Sequence, residues 1–261
     1  LFKEFNEMAI SLSSLRKTGV ARPPRIVVYG THGIGKSTFA AQAPKPVFIQ
    51  TEEGLDAINA DAFPRCQKFE DIMDCISALA SESHEFGTVV LDSADWAEQL
   101  IHKRVAEDNN VKTIDAIGYG RGYKAASDYW RQILDAFDYL RNEQGMQVIV
   151  LAHTQVKRFD DPLADPYDRY QLDLHHGSSS LIAEWCDILM FANQQYSTVK
   201  SDVGFNQKIT RAVGNGNRVL YTQERPGWQA KSRWPLPDML SLEYNKFADA
   251  LSTAMNNVTG G

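Results

Sequence analysis

The residues whose spacing carries the most chemistry are Gly30-Thr31-His32-Gly33-Ile34-Gly35-Lys36-Ser37, which fit the phosphate-binding pattern GxxxxGK(S/T) at every fixed position. In such a loop, backbone N–H groups wrap the phosphates of a nucleotide, Lys36 reaches the β- and γ-phosphates, and the Ser37 hydroxyl ligates Mg²⁺. A nucleoside triphosphate is the expected ligand, with Gly30, Thr31, His32, Gly33, Ile34, Gly35, Lys36, Ser37 and Thr38 as its binding residues. The second group is Asp92, which ends the apolar run Thr88-Val89-Val90-Leu91 and lies 56 residues after Lys36. A carboxylate there holds Mg²⁺ beside the loop hydroxyl, so Ser37 and Asp92 are expected to share the metal. Taken alone, a strand-ending Asp would equally cap the next helix. Hydrolysis further needs a group that orients water in line with the terminal phosphate, and the carboxylates of Glu52-Glu53, at another strand end, can do so.

These groups need strands to end at one edge and helices to carry the chain back. Arg25 to Tyr29 reads as a buried strand and Ser37 to Ala43 as the first turns of a helix, the context that the loop requires. Further strands are expected at 46–51, 88–92, 146–152 and 187–192, with helices near 70–82 and at 95–108. Lys124 to Asn142 is the clearest helix, with Ala126, Tyr129, Trp130, Ile133, Leu134, Phe137 and Leu140 on one face and Gly145 placed to end it. Alternating β and α elements with continuous apolar strands predict an α/β fold, a mostly parallel central sheet covered on both faces. After Tyr196 the pattern changes to short strands, and Gly214-Asn215-Gly216-Asn217 reads as a hairpin turn. Residues 1–24 are expected to form a helix and linker, 25–240 the core, and 241–261 a C-terminal helix or tail.

At 261 residues the chain can bury one large core, and its 43% hydrophobic and 23% charged content is that of an ordinary globular protein. No apolar run approaches the length of a bilayer span, and Leu1 to Phe5 lacks a signal-peptide pattern. Cys66, Cys75 and Cys186 are not at metal-site spacing, which suits reduced thiols in a cytoplasmic setting. The net charge of −6 is uneven: residues 195–234 hold seven basic side chains against two acidic ones, a local +5 that leaves −11 elsewhere. Such a cluster is a solvated face, or a surface for nucleic acid or a second subunit. In Gly118-Tyr119-Gly120-Arg121-Gly122-Tyr123-Lys124, two tyrosines and two cations among glycines can stack bases and pair phosphates, or simply form a turn before a helix. His175-His176 lacks a suitably spaced third ligand for a metal.

The run Phe48-Ile49-Gln50-Thr51-Glu52-Glu53-Gly54-Leu55-Asp56 resembles the stretch that carries the catalytic glutamate in RecA-type recombinases. The resemblance covers roughly residues 25–240 and is strongest to small phage-encoded RecA-core ATPases of single-strand annealing and recombination. It implies that Glu52 polarises the attacking water, with Glu53 the alternative after a one-residue slip, and that Asp56 lies near the adenine. In Leu151-Ala152-His153-Thr154-Gln155 it implies Gln155 as the sensor of the γ-phosphate, while His153 looks like a feature of phage relatives or a buried backbone-bonded residue. Lys157 to Ser180 resembles in place a mobile DNA-binding loop, although Asp160, Asp161, Asp165 and Asp168 make its middle acidic. With Tyr119, Arg121, Tyr123 and Lys124, the residues Lys157 and Arg158 are the candidate DNA contacts. Ala230-Lys231-Ser232-Arg233 resembles the Lys-x-Arg finger that ring-forming relatives send into a neighbour's site. The implied protein is a RecA-like P-loop NTPase with a C-terminal β-hairpin extension, using ATP and Mg²⁺ on single-stranded DNA in phage recombination, repair or replication. It would self-associate as a ring or filament and meet a single-strand-binding or helicase partner. The alternatives are a nucleotide-switched adaptor or loader with little turnover, and a small-molecule P-loop kinase.

Overall fold

The strands at the middle of the central sheet are apolar runs that pack against helices on both sides, in a computed structural model that describes residues 22–202 and 208–259. In chain order the elements are β1 (Arg25–Gly30), α1 (Lys36–Ala41), β2 (Pro46–Gln50), β3 (Asp61–Ala62), α2 (Phe69–Ser81), β4 (Thr88–Asp92), α3 (Ala94–Asp108), α4 (Arg121–Glu143), β5 (Gln147–Phe159), β6 (Tyr167–Leu172), α5 (His176–Trp185), β7 (Ile188–Asp202), β8 (Lys208–Tyr221), β9 (Lys231–Ser232), β10 (Met239–Ser241) and α6 (Tyr244–Thr259). The strand order is β10-β8-β7-β1-β5-β4-β2-β3, with β6 against β5 and β9 against β7. From β7 to β3 every pairing along this order is parallel. The expected helix over residues 2–15 lies outside the described residues.

Alternation along the strands divides the core into two layers. Val27 and Tyr29 of β1 pack with α2, α3, α4 and α5, where Trp130, Ile133 and Phe137 of α4 are fully buried. Ile26 and Val28 face the other way, onto Phe39 of α1 and Phe247 and Leu251 of α6. The C-terminal helix thus packs beside α1, with the Phe39 and Phe247 rings 5.9 Å apart. Both layers are needed to hold β1 rigid, and β1 aims the phosphate-binding loop.

Two segments differ from the sequence expectation. Gly214-Asn215-Gly216-Asn217 does not make the hairpin turn. It lies within β8, where the pairing with β7 shifts register between Gln194 and Tyr196, so the extra residues form a bulge rather than a reversal. Lys157 to Ser180 is not one long loop: β5 runs on to Phe159 and pairs antiparallel with β6 from Thr154↔Leu172 to Phe159↔Tyr167. The prolines 162 and 166 fall in the connection, where they cost no ladder hydrogen bond.

Candidate nucleotide site

The loop leaves β1 at Gly30, whose neighbour on the sheet is Ala192 of β7. A Cβ at Gly30 would stand 2.2 Å from the Ala192 carbonyl oxygen, so the close approach of these strands demands glycine. Gly30→Ala is expected to destabilise the fold by at least about 1–3 kcal/mol and to weaken nucleotide binding, measurable by denaturation and by titration with ATP. At the far end of the loop, Gly35 has φ of 110°, a left-handed conformation that turns the chain into α1.

Lys36 is buried, and its Nζ donates to the carbonyls of Gly30 and Thr31 at 3.0 and 3.1 Å. Burial lowers its pKa, against the pull of Asp92, Asp95 and Glu52. Beside it, the Ser37 hydroxyl donates to Asp92 Oδ2 at 2.6 Å. Asp92 is also buried, and that burial raises its pKa despite the serine hydrogen bond, with the Glu52 charge adding to the rise. A desolvated carboxylate and a hydroxyl meeting at the mouth of a phosphate-binding loop fit the oxygen ligand set of Mg²⁺. Ser93, rather than Asp92, stands at the N-cap position of α3.

Glu52 is placed through Thr51. The Thr51 N–H donates to the Asp92 carbonyl at 2.8 Å, its hydroxyl donates to the Ser93 carbonyl, and the Ser93 N–H donates back to that hydroxyl. The end of β2 is thereby fixed to the end of β4, and Glu52 lines a cleft of about 420 Å³ together with His32, Lys36, Ser37, Asp92 and His153. Glu53 borders the same cleft, but its carboxylate pairs with Arg65 at 3.0 Å on the exposed side.

Midway along β5, His153 reaches this cleft, and Gln155 does not line it. In register His153 stands opposite Gly30, its ring stacks on His32 at 3.7 Å, and its Nδ1 lies 3.9 Å from Glu52 Oε1. Asp95 holds His153 by both its backbone N–H, at 2.9 Å, and its Nδ1, at 2.8 Å. Burial would raise the Asp95 pKa, and these bonds to His153 outweigh it, leaving the carboxyl below its ordinary range. Gln155 instead donates to the Leu172 and Leu174 carbonyls and pins the base of the hairpin. The reason is strand pairing: His153 still lies beside Gly30 of β1, whereas from Thr154 onward β5 pairs with β6, so Gln155 falls in the hairpin.

Other expected residues lie elsewhere. Asp56 is exposed and outside the cleft lining, to which Leu55, Ala57 and Ile58 contribute. Lys231 and Arg233 stand at the opposite end of the sheet, where β9 meets the start of β7; Arg233 pairs with Asp187 at 2.9 Å and Lys231 donates to the Glu184 carbonyl. Tyr119 is fully exposed and takes a positive φ of 51° between two left-handed glycines. Tyr123 stacks on His175 at 4.0 Å, joining the 118–124 turn to the chain that leaves the hairpin. Lys157 and Arg158 are exposed on that hairpin. Among the described residues no cluster fit for a metal forms around His175 and His176. The sequence reading missed Arg218, which borders the cleft from β8; only its place in the basic 195–234 stretch marked it.

A model of the AAA domain family matches residues 22–234, most of the chain. The chain belongs to the AAA domain family. Families of this kind are typically ATPases. The SPbeta prophage-derived uncharacterized protein YorG of Bacillus subtilis (strain 168) is 24% identical over 136 residues, which is 49% of this chain and 40% of that protein. The chain thus spans less than half the length of this curated relative. A RadB recombinase crystal structure is similar over 80% of this chain and 86% of its own, at 16% identity and a TM-score of 0.44. In this AAA domain one strand, β5, separates the loop strand β1 from the strand of Asp92. The chain is thus an AAA-domain protein with a phosphate-binding loop at the edge of a mostly parallel α/β sheet. No helix among the described residues is long and apolar enough to cross a membrane.

Proposed function

We propose that this AAA domain binds and hydrolyses ATP with Mg²⁺ and does so on single-stranded DNA, in phage recombination, repair or replication. The observation that carries the reading is the 2.6 Å contact of Ser37 with Asp92 inside a cleft that also holds Lys36 and Glu52. Lys36 offsets the charge of the terminal phosphates, and the N–H groups of Gly33 to Ser37 cradle them. Ser37 and Asp92 would hold Mg²⁺, which supplies charge neutralisation at the β- and γ-oxygens. Glu52 orients water toward the γ-phosphate and accepts its proton. His153, held by Asp95 and stacked on His32, keeps the loop and Glu52 in register with each other.

The DNA half of the reading rests on Tyr119. A non-glycine residue in a left-handed conformation with its whole ring in solvent carries strain without burial, a combination that functional surfaces tolerate. Arg121 and Lys124 follow it, and the Tyr123–His175 stack joins this turn to the chain that leaves the hairpin carrying Lys157 and Arg158. Rings and cations of this kind bind a single strand through stacking and phosphate pairing. Self-association into a ring or filament would multiply such contacts along a strand.

ATP hydrolysis measured with and without single-stranded DNA, across a salt series, tests this directly. The expected result is stimulation that fades as salt rises, with Tyr119→Ala weakening DNA binding by about 1–3 kcal/mol while leaving DNA-free hydrolysis unchanged. Hydrolysis indifferent to DNA would replace this reading with a nucleotide-switched adaptor.

A further inference from the structure

Among the described residues, Arg218 joins Lys36 as a cation bordering the loop's cleft. Arg218, near the end of β8, is exposed, and a Cβ built on Gly35 would lie 3.2 Å from its Nη1. No carboxylate among the described residues pairs with it, in contrast to Arg25, Arg225 and Arg233. Its backbone is nevertheless well fixed: Arg218 pairs with Gln194 across the sheet, and its carbonyl accepts from the Leu242 N–H at 3.0 Å. An uncommitted guanidinium on a rigid strand, resting against a phosphate-binding loop, is preorganised for a phosphate.

The sheet order says which phosphate. β2, which leads into Glu52, lies three strands from β1 on one side, and β8 lies two strands from it on the other. The hydrolytic groups Glu52 and Asp92 are therefore on one flank of the loop, and Arg218 is on the opposite flank. A polyphosphate with its terminal phosphate beside Glu52 runs back across Gly35 toward Arg218. Beyond Arg218 the surface continues into a second hollow of about 620 Å³, bordered by Asn217, Met239, Leu242 and Glu243, and Arg218 lines both hollows.

We propose that Arg218 is a nucleotide-binding residue of its own chain's site, holding the phosphates nearest the nucleoside, and that the adjoining hollow takes the ribose and base. The inference rests on the nucleotide reading of the cleft. It assigns to the same subunit a cation that the sequence had suggested would come from a neighbour, through Lys231 or Arg233, both of which are engaged at the far end of the sheet.

The test is equilibrium binding of Mg-ATP and Mg-ADP to the wild type, Lys36→Ala, Arg218→Ala and Arg218→Lys, with thermal melting in the absence of nucleotide. Arg218→Ala is expected to weaken both nucleotides by roughly 10- to 100-fold with no change in melting temperature, and Arg218→Lys to recover part of the loss. Wild-type affinity in Arg218→Ala overturns the assignment, whereas failure of the wild type to bind either nucleotide overturns the nucleotide reading itself. Mixing Lys36→Ala with Arg218→Ala subunits separates the same chain from a neighbour. Hydrolysis that stays at the sum of the two variants supports action within one chain, and recovery above that sum overturns it.

Discussion

Glu52→Gln is expected to bind ATP with close to wild-type affinity and to hydrolyse it about 10²- to 10⁴-fold more slowly. Glutamine keeps the size and the hydrogen-bonding oxygen of the side chain but cannot take a proton from water. The scaffold that positions residue 52 stays intact, because Thr51 makes its bonds to Asp92 and Ser93 without help from the carboxylate. Glu53→Gln provides the comparison: its carboxylate pairs with Arg65 on the exposed side, and hydrolysis should change by no more than about twofold. Single-turnover hydrolysis with a parallel binding titration distinguishes the two variants. A loss at Glu52 no larger than that at Glu53 would overturn the assignment of Glu52 as the base.

Asp187→Ala is expected to cause the largest loss of stability, about 3–5 kcal/mol by chemical denaturation at neutral pH. Asp187 is buried at the start of β7 and accepts from the Arg25 backbone N–H at 3.0 Å, from Arg25 Nε at 3.1 Å and from Arg25 Nη2 at 2.9 Å. Arg233 Nε lies 2.9 Å away and Arg141 3.6 Å away. Removing the carboxylate leaves these guanidinium groups crowded at the N-terminal edge of β1, with Asp138, 3.3 Å from Arg25, as the remaining carboxylate paired there among the described residues. Burial alone would raise the Asp187 pKa; the bonds and charge of Arg25, with Arg141 behind them, reverse that and hold it below the ordinary carboxylate range. The ionised form is thus favoured in the folded state. Its contribution is complete above the unfolded value of about 4 and is lost as pH falls through the lower folded value. The stability gap between wild type and Asp187→Ala should therefore be constant at neutral pH and narrow on acidification below about pH 4.

Much of this was legible in the linear chain because it depends on neighbours in sequence. The GxxxxGKS spacing specifies a loop on its own, since its glycines, lysine and serine act within one turn of backbone. The alternation of Ile26 and Val28 with Val27 and Tyr29 anticipated a strand covered on both faces, and the periodicity of Trp130, Ile133 and Phe137 anticipated α4. Some local signals had two structural uses. Gly214 to Asn217 suits a turn or a bulge equally, and the length of β7 and β8 selected the bulge. Gln155 and His153 are both polar and stand two residues apart within β5; the pairing with β6 sets Gln155 at the base of the hairpin, and the stack on His32 sets His153 in the cleft.

By itself, then, the sequence determined the phosphate-binding loop, the strand-ending Asp92, the candidate base Glu52 and the layered α/β fold, all of which follow from short-range spacing and hydrophobic period. Tertiary structure alone decided that His32, Glu52, Asp95 and His153 form one connected group, that Lys231 and Arg233 stand at the far end of the sheet, and that Arg218 lies against Gly35. Arg218 is 182 residues beyond Lys36 in the chain. Strand order brings the two together, and strand order is set by how the whole sheet buries its apolar faces rather than by any stretch of residues that a motif can span.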